Sequence, residues 1–220
     1  MKKLFYLLCS LLTVTLVSCE NSKEPSDPAN GHEYVDLGLS VKWATCNVGA
    51  NSPEESGNYF AWGETESKAE YTLKNYKWYS EEEKCFTKYY TLSEESPTGY
   101  KTTLELSDDA AHVNWGGSWR MPKFNELQEL LDKCTWKWDM QNGVKGFVVT
   151  GPNGNSIFFP AAGYVVRSNL YSVGEVGSYL TSTLSAVSLS NIKILHFEPG
   201  GAAMVELNRV EANFIRPVLP

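Results

Sequence analysis

The chain has 220 residues, with 19 Lys and Arg against 26 Asp and Glu for a formal charge of −7. No cluster of basic residues offsets that acidic balance, which excludes nucleic acid as a partner, because a phosphate backbone is neutralised by grouped Lys and Arg. Length and a hydrophobic content of 42% suffice for a sizeable core.

At the amino terminus Lys2 and Lys3 precede an apolar run from Leu4 to Val17, which closes in Leu16-Val17-Ser18-Cys19. The run is shorter than the roughly twenty residues that cross a bilayer, and residues 1–18 read as a bacterial lipoprotein signal. Cleavage before Cys19 would free its thiol and new amino group for acylation, and two or three chains anchor stably. The expected partner is therefore the outer membrane, reached at the cell surface or at the periplasmic face. Residues 19–32 hold no bulky apolar side chain and read as a disordered tether, whose Glu20, Glu24 and Asp27 suit a surface-export signal. Loss of Lys2 and Lys3 leaves 17 basic residues and a mature charge of about −9. No later apolar run is long enough to span a membrane. The 188 residues from Glu33 to Pro220 are expected to form one domain.

YVDLGLSVKWATCNVG, from Tyr34, opens that domain as two short β-rich runs separated by Gly38. Residues 51–103 are polar and irregular around an apolar knot at Tyr59, Phe60 and Trp62. A segment of that length inside a domain carries function or packs by its own aromatic side chains. Asp108 and Asp109 precede Ala110-Ala111, where carboxylates suit the first turn of a short helix. Phe124, Leu127, Leu131 and Cys134 recur at helical spacing, with Leu130 beside them and charged residues opposite; this predicts an amphipathic helix entered through Pro122. Upstream, Gly116 and Gly117 allow a tight path, and Trp115, Trp119 and Met121 supply apolar mass at the corner. GFVVT and SIFFP flank GPNGN as a hairpin, with the asparagines explained by turn geometry. Ile192–Phe197, Ala203–Leu207 and Phe214–Val218 read as strands, so a helix-containing first half precedes a β-rich second half, an α+β arrangement.

With Cys19 lipidated, Cys46, Cys85 and Cys134 remain. At most one bridge forms, and Cys46 with Cys134, both among apolar neighbours, is the expected pair; two buried free thiols are the alternative.

VDLGLSVKWATCNVGA, GNYFAWGE, NWGGSWRMP before a helix, GVKGFVVTGPNGNSIFFPAAGY and the terminal IRPV together resemble the Fibrobacter succinogenes major paralogous domain of Bacteroidota lipoproteins. WRMP and RPV are similar, more distantly, to the C-type-lectin-like fold of formylglycine-generating enzymes. The resemblance implies two helices, one small twisted antiparallel sheet, long loops, and first and last strands side by side. It also implies departures. Lys123 stands where relatives carry a Ser or Thr cap, so Asn125 becomes the candidate cap. Gly177-Ser178-Tyr179-Leu180-Thr181-Ser182 lacks an aromatic residue of the family loop, and no cysteine stands at Tyr79 or Tyr90 to pair with Cys85.

Catalysis is not expected. No cysteine follows Cys134, so the copper chemistry of formylglycine-generating enzymes has no ligands here. His32, His112 and His196 are too dispersed to suggest a three-ligand metal site. There is no Gly-x-Ser-x-Gly elbow, and His112 reads as a packed histidine. Glu198-Pro199-Gly200, with no Trp-Asn-Asp, does not make the calcium site of sugar-binding lectins. No cofactor or metal is expected. What remains is recognition by loops. Tyr164, Arg167, Asn169, Tyr171 and Tyr179 are the candidate ligand-binding residues, with Tyr164 and Tyr179 open to a core role. Tyr71, Tyr76, Trp78, Tyr79, Tyr89 and Tyr90 would either stack on glycan rings or pin the long loop. A noncatalytic module binding a glycan or protein is the first reading. A structural or assembly component of the envelope is the second, and an enzyme is the third.

Overall fold

In the computed structural model, Asp27, residues 29–91 and residues 100–220 are described. The signal segment, Cys19 and most of the tether lie outside them.

In chain order the strands are β1 (Tyr34–Val35), β2 (Lys42–Ala44), β3 (Tyr59–Phe60), β4 (Tyr79–Ser80) and β5 (Cys85–Phe86). The helices α1 (Ala110–Trp115) and α2 (Phe124–Lys133) follow. Then come β6 (Thr135–Gln141), β7 (Val144–Thr150), β8 (Ser156–Pro160), β9 (Tyr164–Val166), β10 (Asn169–Tyr171), β11 (Gly177–Leu184), β12 (Asn191–Glu198), β13 (Gly201–Asn208), β14 (Asn213–Phe214) and β15 (Val218–Leu219). The expectation of an α+β, C-type-lectin-like fold with one small sheet is overturned. Among the described residues 37% are in strands and 12% in helices, and the strands divide among several small sheets. The reason is local: stretches read as loop form hairpins of two or three residues per strand, and β6 and β11 are long strands that the expectation did not contain.

The largest sheet runs β13-β12-β11-β14-β3, antiparallel except where β11 meets β14. A three-stranded sheet β6-β7-β8 and a sheet β1-β2-β15, in which the last strand lies against β2, complete the frame. One face of the largest sheet carries Tyr179, Leu195, Phe197 and Phe214, which pack with Leu127 and Leu130 of α2 and with Phe147 and Phe159. The other face carries Leu180, Ile192 and Ile194, which pack with Trp62, Tyr89, Trp119 and Met121.

The corner at WGGSWRMP is part of this core. Trp119 and Met121 are fully buried, and Gly116 and Gly117 adopt φ of 67° and 57°. Trp119 Nε1 donates to the Ala29 carbonyl at 2.6 Å, Asn30 Nδ2 to the Trp115 carbonyl at 2.5 Å, and His32 stacks on Trp115 at 3.8 Å. Residues 29–32, read as tether, thus pack on the body: their small and polar groups answer donors and acceptors that the tryptophans present. The cap of α2 also differs from expectation. Asn125 does not supply it. Glu126 accepts from the Lys123 amide at 2.8 Å, and Thr183 Oγ1 of β11 accepts from the Phe124 amide at 3.1 Å.

Two arginines are sealed in the core, with no carboxylate partner among the described residues. Arg216 donates to Asn47 Oδ1 and to the carbonyls of Ala44, Thr45 and Phe158, all within 3.1 Å, above the ring of Phe159. Arg209 donates to Tyr76 Oη and to the carbonyls of Lys88, Tyr89 and Leu189, against Trp62 and Phe86. Every guanidinium nitrogen thereby meets at least one protein acceptor, and the spread of the charge over these oxygens offsets the cost of its burial. In the β7–β8 turn the left-handed residue is Gly154, at φ 87°, and not an asparagine; Asn153 and Asn155 instead donate to the Asp36 carbonyl.

Cys46, Cys85 and Cys134 are free, which corrects the expected bridge between Cys46 and Cys134. Cys46 packs against the core cluster that holds Trp62 and Trp119, and Cys134 against the one that holds Phe147 and Phe197, so the two thiols belong to different clusters. Burial pushes both thiols up, away from the reactive thiolate.

Candidate functional site

The hairpin β9–β10 carries most of the residues singled out in the sequence. Its register opposes Asn169 to Val166 and Tyr171 to Tyr164, so these four side chains share one face, because facing residues of an antiparallel pair point the same way. Tyr164 and Tyr171 stack there with centroids 5.8 Å apart, and Tyr171 is 45% exposed. Val165 points inward and is buried, and its amide donates to the Ala212 carbonyl at 3.2 Å. Arg167 turns the hairpin in a left-handed conformation, φ 58°, with its side chain exposed and its carbonyl accepting from the Tyr71 amide. At the base Gly163 has φ 82°, and a Cβ there would lie 2.2 Å from the Tyr171 carbonyl oxygen, so only glycine lets the two strands close.

Two clefts flank this hairpin. One, of about 390 Å³, is floored by Ser178, Ile194, His196, Val205 and Leu207, with Tyr164 as one wall and Glu211 at its end. The second, of about 510 Å³, lies toward Arg167, Tyr71, Tyr79, Lys84 and Phe86, and Glu211 borders it too. Glu211 is half-buried, and burial pushes its carboxyl above the usual carboxylate range. Among the described residues it forms no ion pair within 4.0 Å, so its charge is available to a ligand approaching from either cleft.

Tyr164, Asn169 and Tyr171 therefore come together on one surface, and Arg167 stands at its tip. Tyr179 does not. It is 1% exposed on the opposite face of β11, donates to the Pro160 carbonyl at 2.7 Å and stacks on Phe197, which corrects its assignment to a binding face. Burial raises its hydroxyl to about 12. Sequence reasoning missed Glu211, and it weighed His196 only as a metal ligand; His196 is drawn in from β12 and Glu211 from the connection between β13 and β14, both remote in sequence, and no local pattern marks them.

The second aromatic cluster pins the long loop. Tyr71, Tyr76, Tyr89 and Tyr90 are buried. Tyr76 donates to the Trp62 carbonyl, Tyr71 to the Tyr59 carbonyl and Trp78 Nε1 to the Gly63 carbonyl. Beside them Asp108 accepts from Lys77 at 3.0 Å, Lys88 at 2.6 Å and Tyr89 at 2.5 Å, and both lysines lie over the Trp78 ring. Burial opposes the Asp108 charge, yet the bonds from Lys88, Tyr89 and Lys77 outweigh it and hold its carboxyl below the usual range. Asp109 caps α1 by accepting from the His112 amide and also accepts from Met121, while burial holds its carboxyl above the usual range. His112 Nδ1 lies 3.1 Å from the Trp119 carbonyl. These groups are committed to the fold.

No family model, curated protein or solved structure matches the chain.

Proposed function

We propose that the chain is a lipid-anchored, noncatalytic recognition module that binds a glycan or protein ligand through the β9–β10 hairpin. The observation that carries this reading is the solvent-facing Tyr164–Tyr171 pair beside a cleft ending in the unpaired Glu211. Stacked aromatic rings bury area at low entropic cost, and a half-buried carboxylate accepts hydrogen bonds from hydroxyl, amide or ammonium groups. The engagement of Asp108, Asp109 and His112 in capping and ion pairing favours binding over chemistry. The ordered motifs that resemble the Fibrobacter succinogenes major paralogous domain, together with the Leu-Val-Ser-Cys motif, support placement at the outer membrane through Cys19.

A glycan array and a pull-down against envelope proteins test the reading. Ligand retained by the wild-type chain and weakened roughly ten- to hundredfold by Tyr171→Ala or Glu211→Gln is the expected result. Binding that survives both substitutions would move the site elsewhere. A structural or assembly role in the envelope is the second reading, and the outer edge of β13, unpaired among the described residues, favours it.

A further inference from the structure

We propose that the outer edge of β13 is where two copies of this chain join, strand against strand, into one continuous sheet. The inference stands apart from the ligand reading and fails or survives independently of it.

β13 is the terminal strand of the largest sheet, and it pairs with β12 over eight consecutive residues without a register shift. Just past the ladder the Arg209 amide donates to the Ser190 carbonyl at 2.8 Å, which sets the alternation of the antiparallel pattern. Gly201, Ala203, Val205 and Leu207 consequently bond to β12, and Ala202, Met204 and Glu206 turn their amides and carbonyls outward. Edges of this kind are normally blunted by lysine, proline, a bulge or a covering loop. β13 has no lysine, proline or bulge. Its single charge, Glu206, is held on its own chain by Lys193 at 2.6 Å and Ser185 at 2.8 Å.

The edge is complementary to itself. An antiparallel copy related by a two-fold axis at Met204 sets Met204 against Met204 and Ala202 against Glu206 of the second copy. Each of these pairs is in hydrogen-bonding phase, and no like charges meet, which selects a second copy of an otherwise acidic chain as the occupant. There is room for it. A groove of about 470 Å³ lined by Gln128, Leu131, Asp132 and Trp136 borders Ala202 and Met204. α2 lies across β11, β12 and β13. Strands about 4.8 Å apart would place the two β12 strands roughly 14 Å from each other, beyond the 8–10 Å of packed helices, so the two α2 helices share a face without overlap.

The test uses the full chain in the membranes of expressing cells, with Cys85→Ser removing the exposed thiol. Oxidation should join Met204→Cys into a disulfide-linked dimer at a yield at least roughly tenfold above that of Ala203→Cys, whose side chain points to the other face and away from the axis. In detergent the wild-type chain should scatter light as a dimer. Ala202→Pro, which removes only an outward amide, should be a folded monomer. Should that variant fail to fold, the two cysteine variants decide alone. A monomeric wild-type mass, equal cross-linking at 203 and 204, or a folded dimeric Ala202→Pro would each overturn the proposal.

Discussion

Two buried cations illustrate how single residues govern this protein. Arg216 binds the terminal segment to β2 and β8 through carbonyl oxygens that have no access to water. Truncation would strand those acceptors and open a cavity, so Arg216→Ala should cost about 3 kcal/mol or more in chemical denaturation. Arg216→Lys should recover little of it, because an ammonium lacks the planar fork that reaches several carbonyls at once. The neighbouring aspartates carry opposite pH signatures. The Asp108 carboxyl is held below its ordinary value, so its stabilising contribution is present above the ordinary carboxylate range and is lost as pH falls through the lowered value. The stability difference between wild type and Asp108→Asn should therefore be largest near neutrality and shrink toward pH 3, as urea midpoints would record. Asp109 runs the other way: its raised value means the buried charge weakens the fold as pH rises through that value.

At the level of elements, legibility tracked how local the cause was. α2 and the β7–β8 hairpin were readable because spacing and turn residues within a dozen positions specify them. The Asn142-Gly143 turn of β6–β7, with φ of 48° and 85°, was an equally local signal, and recognising it would have supplied the missing strand. β11 was not readable. Gly177, Ser178, Thr181 and Ser182 lie in a strand buried on both faces, so no alternation of apolar and polar residues marks it. For the same reason Tyr179 resembled a loop aromatic while facing the core. The α2 cap depends on Thr183, 59 residues away, which no spacing argument reaches. Thr183→Val keeps the shape and removes the acceptor, and a loss of about 1 kcal/mol is expected in thermal or urea unfolding. Of the candidate site, the hairpin residues were legible as a polar and aromatic mixture between glycines. Glu211 became part of it only through the fold.

For the whole molecule, attachment is the decisive proposal. Cys19→Ala should move the chain from the membrane fraction to the soluble fraction on cell fractionation, since acyl chains supply the anchorage. Asp27 is tied to the packed body, its carboxylate accepting from the amides of Ala29 and Gly31. Ala29 and His32 are in turn clamped to Trp119 and Trp115. Eight peptide steps separate Cys19 from Asp27, a leash that at full stretch reaches about 27 Å. The tryptophan corner consequently doubles as a mooring post. With Cys19 acylated as proposed, it would keep the body within one domain's width of the lipid headgroups, so that ligands would be met close to the bilayer and two moored copies would share a plane in which their β13 edges could find each other.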